Sequence, residues 1–111
     1  MTMQIETRSK GFPLTEGLRQ HIRQRLRFAF NRIAARVKRV VVHLSDVNGP
    51  RGGPDKRCQL RVQLERQPEV VIEDTRDDLY AAVDQASERA AQSVTRRLAK
   101  QRRYRREGAS G

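Results

Sequence analysis

The spacing of apolar residues along this chain runs with period two, then about 3.6, then period two in three successive runs, then about 3.6 again, and that order leaves few folds open. Met3, Ile5 and Thr7 alternate with polar neighbours, which predicts a short strand, and Gly11 to Pro13 breaks it. Thr15 then offers a helix N-cap, and Leu18, Ile22, Leu26, Ala29, Phe30 and Ile33 recur every three or four residues within a sector about 120° wide. The spacing predicts an amphipathic helix near residues 15–31. Val37 to Asp46 is rich in β-branched residues, with Val40, Val42 and Leu44 on one side of a strand and Val41 and His43 on the other. Asn48 to Pro54 (NGPRGGP) cannot continue a ladder, so a loose hairpin loop is expected there. Cys58, Leu60, Val62 and Leu64 alternate against Gln59, Arg61 and Gln63, and Val70 and Ile72 repeat the pattern after a turn near Gln67 and Pro68. These predict two further antiparallel strands.

Thr75 stands three residues before Asp78, as in a capping box, and Asp74, Asp77 and Asp78 add negative charge where a helix begins. The whole acidic run Glu73 to Asp78 is read as capping. From there Leu79, Val83, Ala86, Ala90, Val94 and Leu98 hold one stripe, and Gly108 to Gly111 reads as a frayed tail. The expected fold is α+β with order β-α-β-β-β-α, a two-layer sandwich in which two helices cover one face of a four-stranded sheet. One domain over residues 1–106 and a disordered tail over 107–111 are expected, since 111 residues are too few for two ordinary cores.

Charge is the second constraint. Twenty-four Lys and Arg against thirteen Asp and Glu leave a net charge of +11, which points to a polyanionic partner, nucleic acid first. Residues 8–39 carry ten basic side chains and one acidic, residues 89–106 eight basic and none acidic, whereas residues 40–88 carry six basic against ten acidic. Twenty of the cations are Arg, whose planar fork grips phosphate with two hydrogen bonds and stacks on bases, which favours RNA or DNA over a lipid surface. Cys58 is the sole cysteine and cannot form an internal disulfide, and no apolar run of about 18 residues or signal-like leader is seen, so a cytoplasmic protein without membrane contact is expected.

On the second helix Arg89, Arg96, Lys100 and Arg103 fall within about 60° of one another, roughly opposite the apolar stripe. On the first, Arg19, Arg23 and Arg27 form an i, i+4, i+8 row, with Arg25 and Arg32 on the other flank of its stripe. A face that only keeps a protein soluble mixes signs; these two do not. With the helices side by side, the two ridges are expected to become the walls of one cationic groove that accepts an RNA backbone.

Several segments together resemble the ribosome hibernation promoting factor and ribosome-associated inhibitor family, in a short form. They are Met3-Gln-Ile5, Leu14-Thr15 with Leu18, Phe30-Asn-Arg-Ile33, the Val40 to Ser45 strand and above all Asp78-Leu-Tyr-Ala-Ala-Val-Asp84, and the match spans about residues 3–103. Asn48 to Cys58 looks like a hairpin variant of bacterial members. The resemblance implies a fold akin to double-stranded RNA-binding domains and binding in the decoding channel of the small ribosomal subunit, between head and body. There the protein would contact rRNA and exclude mRNA and tRNA in resting cells. Carried over by position, the family's basic helix surfaces fall on Arg19, Arg23, Arg27, Arg89, Arg96, Arg97, Lys100 and Arg103. The long members add a domain that pairs ribosomes; this chain ends at Gly111, so self-driven ribosome dimerisation is not expected. A monomer is expected.

The remaining chemistry points away from an enzyme. His21, His43 and Cys58 match no metal spacing, the glycine-rich loop lacks the phosphate-cradling pattern, and no nucleophile and base pair stands out, so no metal, cofactor or small-molecule substrate is expected. Cys58 reads as a small buried apolar residue, Tyr80 and Phe30 as core or core rim, and Phe28 and Tyr104 as exposed aromatics that could stack on bases. Two alternative functions stay open: a general double-stranded RNA-binding protein, separable by competition between ribosomes and free duplex, and a protein-interaction modulator of transcription, separable by nuclease treatment.

Overall fold

A parallel pair of neighbouring strands needs a crossover on one face of the sheet, and the first helix supplies it. The computed structural model describes residues 3–47 and 55–110, with side chains as far as Arg103. The expected 48–54 loop, including Arg51, and the Tyr104 side chain lie outside the described residues. The elements are β1 (Gln4–Lys10), α1 (Glu16–Ala29), β2 (Val37–Asp46), β3 (Lys56–Leu64), β4 (Val70–Arg76) and α2 (Leu79–Ser110), with a single 3-10 turn at Ala34–Arg36 before β2. The sheet order is β1-β2-β3-β4, the first pair parallel and the others antiparallel. This is the expected α+β two-layer sandwich.

The alternation in the sequence sets the two faces of the sheet. Val40, Val42 and Leu44 of β2 and Cys58, Leu60 and Val62 of β3 are at most 1% exposed and point inward. Leu18, Ile22, Leu26 and Phe30 of α1 and Val83, Ala86, Ala90, Val94 and Leu98 of α2 close over them in one continuous core. The α2 stripe is rich in alanine, so this helix lies close over β3 and β4 and against α1. Phe30 is fully buried as expected, whereas Tyr80 is 41% exposed, tilted against His21 at 4.6 Å between ring centroids.

The helix starts are fixed by side chains. The Leu18 N–H donates to Thr15 Oγ1 at 3.1 Å, the cap expected from the sequence. At α2 the cap is Asp78, whose Oδ1 accepts from the Tyr80 N–H at 3.1 Å. Thr75 is not part of a capping box: β4 extends through Arg76, and Thr75 pairs with Arg57 across the ladder. The β3–β4 turn falls over 65–69, where Gln67 and Pro68 were expected to make it, and Arg66 within it takes a positive φ of 58°. After β1 the chain reverses at Gly11, where φ is +99° and an added Cβ would stand 3.4 Å from Asp46 Cβ. Helix α2 runs to Ser110.

Candidate nucleic-acid interface

The cations on the two layers of the sandwich are treated differently by the fold. On the open face of the sheet most are matched, Lys10 at the end of β1 being an exception: Arg8 and Arg39 both grip Glu6, Arg61 Nη1 lies 2.7 Å from Glu69 Oε1, Arg57 Nη1 3.9 Å from Glu73 Oε2, and, at the end of β3, Lys56 Nζ lies 3.1 Å from Asp46 Oδ2. On the helical layer the opposite holds. Arg19, Arg23, Arg27, Arg96, Lys100 and Arg103 are exposed, and among the described residues none has a carboxylate within 4.0 Å. Unpaired like charges along a helix destabilise it by a few tenths of a kcal/mol per neighbouring pair, which an external anion would relieve.

The two ridges do not face each other. The side of α1 that meets α2 is marked by His21 and Arg25, whose Nε2 and Nε lie 2.7 and 3.1 Å from Asp84 Oδ1. At about 100° per residue, Arg19, Arg23 and Arg27 lie about 120 to 160° around the helix from Arg25, so that row looks outward over the β1 side. On α2, Arg89 Nη1 donates to Glu73 O at 2.8 Å and to Asp74 Oδ2 at 3.2 Å, and Arg97 Nη1 donates to Pro68 O at 2.6 Å. Both lean outward over the β4 side. The expected arrangement of facing walls is therefore corrected: the Arg19, Arg23, Arg27 row turns away from α2 and Arg89 and Arg97 reach towards β4, while Arg96 of the α2 ridge stays at the groove between the helices. The groove between the helices, of about 610 Å³, is lined instead by Arg25, Phe28, Glu88, Gln92, Thr95 and Arg96. Of the eight basic positions carried over from the family resemblance, Arg96 alone reaches it, beside Phe28, expected from the sequence as an exposed aromatic, and Arg25.

The comparisons with known proteins bear on what such a face meets. The family model described as Sigma 54 modulation protein / S30EA ribosomal protein matches residues 5–102. The chain belongs to that family. Among solved structures, a ribosomal subunit interface protein from Coxiella burnetii aligns with a TM-score of 0.75 at 16% identity, covering 87% of this chain and 99% of that one. The N-terminal domain of Protein Y from Thermus thermophilus aligns with a TM-score of 0.67 at 24% identity, covering 86% and 98%. At these identities the structural likeness speaks for the fold. No curated protein sequence matches significantly.

In this member of the S30EA family, two of the eight basic positions have a structural task as well. Asp74 sits on the inward side of β4 with its side chain 6% exposed, and Arg76 Nε at 2.6 Å joins Arg89 in satisfying it. Its placement corrects the reading of the Glu73 to Asp78 run as capping, since Asp78 alone caps. Arg89 and Arg97 thereby tie α2 to β4 and to the β3–β4 turn, while each keeps further N–H donors. Arg76 is held more firmly protonated than an ordinary guanidinium by its bond to Asp74. Cys58 is buried beside Asp74 in the ladder, and burial first, then that carboxylate, pushes its thiol up to about 12. Among the described residues there is no cluster of metal-ligating side chains, and no helix is long and apolar enough to cross a membrane.

The residue that sequence reasoning undervalued is Arg25. Its helical-wheel position on the far flank of the stripe was visible, but its place in the groove depends on which side α2 occupies.

Proposed function

We propose that the protein inhibits translation by binding, as a cytoplasmic monomer, to rRNA in the decoding channel of the small ribosomal subunit, where it blocks mRNA and tRNA and protects idle ribosomes. The observation that carries this reading is the set of six cations without a carboxylate partner among the described residues on the helical layer of an S30EA family member, while most cations of the open sheet face are paired within the chain. Arginine forks spaced along two helices suit a folded sugar-phosphate chain better than a flat anionic surface, because each can take a phosphate with two hydrogen bonds. The aligned Coxiella protein is named for a ribosomal subunit interface, which fits a site where subunits and their ligands meet. Arg19, Arg23, Arg27, Arg96, Lys100 and Arg103 supply the phosphate contacts in this reading, with Arg89 and Arg97 adding contacts from donors the fold leaves free. No catalytic step is involved.

The test is sedimentation of the protein with purified small subunits in the presence of excess free duplex RNA. The proposal expects pelleting that duplex does not abolish, and its loss in the variant Arg96→Glu, Lys100→Glu, Arg103→Glu with the melting temperature unchanged. Complete displacement by duplex would instead make the protein a general double-stranded RNA binder. Capture of a partner that survives nuclease treatment, without ribosome pelleting, would make it a protein-interaction module.

A further inference from the structure

Phe28 is 76% exposed, the most open large apolar side chain among the described residues. It stands on the α2 side of α1, in the mouth of the interhelical groove, and Arg25 Cζ lies 5.9 Å from its ring centroid. Arg25 Nε lies 3.1 Å from Asp84 Oδ1 as an ion pair, its buried N–H making no hydrogen bond among the described residues, so the guanidinium stays beside the ring with donors to spare. Glu88, Gln92 and Thr95 present hydrogen-bonding groups from the facing wall, and Arg96 closes the groove with an unpaired positive charge. We infer that the groove receives an unpaired nucleobase, stacked on the Phe28 ring, with the flanking phosphates against Arg25 and Arg96.

This inference rests on the RNA-binding reading and narrows it to looped, bulged or single-stranded segments. A base inside a duplex has no free face to offer, whereas an extruded base stacks on an aromatic ring and shows its edge to polar side chains. The unmatched Arg96 beside the exposed ring selects this occupant, since Arg25 already has Asp84 and Glu88 can accept from a base edge. An apolar peptide or a lipid chain would cover the ring but leave the Arg96 guanidinium facing an uncharged surface, while a nucleotide satisfies both at once.

The experiment measures binding of the full chain to a single-stranded RNA carrying a fluorescent adenine analogue and to a fully paired duplex of equal length, at one salt concentration, for wild type, Phe28→Ala and Phe28→Tyr. The wild type is expected to quench the analogue on the single strand. Phe28→Ala should lose the quenching and bind the single strand about 5- to 150-fold more weakly, with duplex affinity and melting temperature unchanged. Phe28→Tyr should restore both signals. If Phe28→Ala matches wild type on the single strand while binding remains steeply salt-dependent, the stacking proposal falls and the RNA-binding reading stands. Equal weakening on both RNAs also overturns it. If the wild type binds neither RNA nor small subunits, both readings fall together.

Discussion

Replacing Arg96, Lys100 and Arg103 together by alanine separates charge that binds from charge that holds the fold. All three are exposed, and among the described residues none has a carboxylate within 4.0 Å, so the fold has little to lose. Surface changes of this kind stay within about 0.5 kcal/mol each. Their effect on RNA binding should be large and of a particular form. Each phosphate neutralised on a single strand contributes about 0.7 to the slope of log affinity against log salt, so the six unpaired cations alone, before any contact from Arg89 or Arg97, give a slope of about −4.2 and the triple variant about −2.1. Raising salt fourfold should therefore weaken the wild type about 340-fold and the variant about 18-fold. Fluorescence anisotropy with an rRNA fragment across a salt series reads the slopes, and circular dichroism melts read stability. Arg89→Ala is the internal contrast. It strips one of two guanidinium partners from the buried Asp74 carboxylate, so it should cost about 1 to 3 kcal/mol of stability, with a smaller change in slope. Equal slopes for wild type and the triple variant would refute the assignment of these cations to phosphate contacts.

Further consequences follow from the caps, the turn and the buried thiol. Thr15→Ala removes the acceptor for the Leu18 N–H and should cost about 1 kcal/mol in a denaturant titration, with RNA affinity at low denaturant unaltered. Gly11→Ala places a side chain at a φ of +99°, with its Cβ 3.4 Å from Asp46 Cβ, and should lower stability by about 1 to 2 kcal/mol in the same measurement. The Cys58 thiol, raised from 9.0 to about 12, should resist a thiol-reactive dye at pH 8 in the folded protein and react once denaturant is added. The folded state then holds this proton where the unfolded chain has lost it, so the thiol's contribution to stability is intact below pH 9 and declines as pH rises from 9 towards about 12.

The sandwich was legible because each element carries its own period and its own stop: NGPRGGP ends a strand, Thr15 opens a helix, and the Leu79 to Leu98 stripe matches a sheet face in length. The α2 start misled because two signals overlap. Thr75 and Asp78 have capping-box spacing, but β4 pairing with β3 claims Thr75 and turns Asp74 inward to Arg76 and Arg89. At the candidate site, a helical wheel orders residues around each axis but not the rotation of each helix relative to its neighbour. That rotation is set by Ile22, Leu26, Val83 and Ala90 packing into the shared core. It sends the Arg19, Arg23, Arg27 row to one flank and Arg89 and Arg97 to the other, and leaves Arg25, Phe28 and Arg96 for the groove.

The central claim is that the arginine-bearing helical layer occupies the channel that mRNA and tRNA use. Titrating the protein into vacant small subunits loaded with labelled mRNA and tRNA tests it directly. Mutual exclusion is expected, with both labels released in proportion to protein bound and bound protein displaced in turn by excess tRNA and mRNA. A stable complex holding protein, mRNA and tRNA on the same subunit would contradict the account.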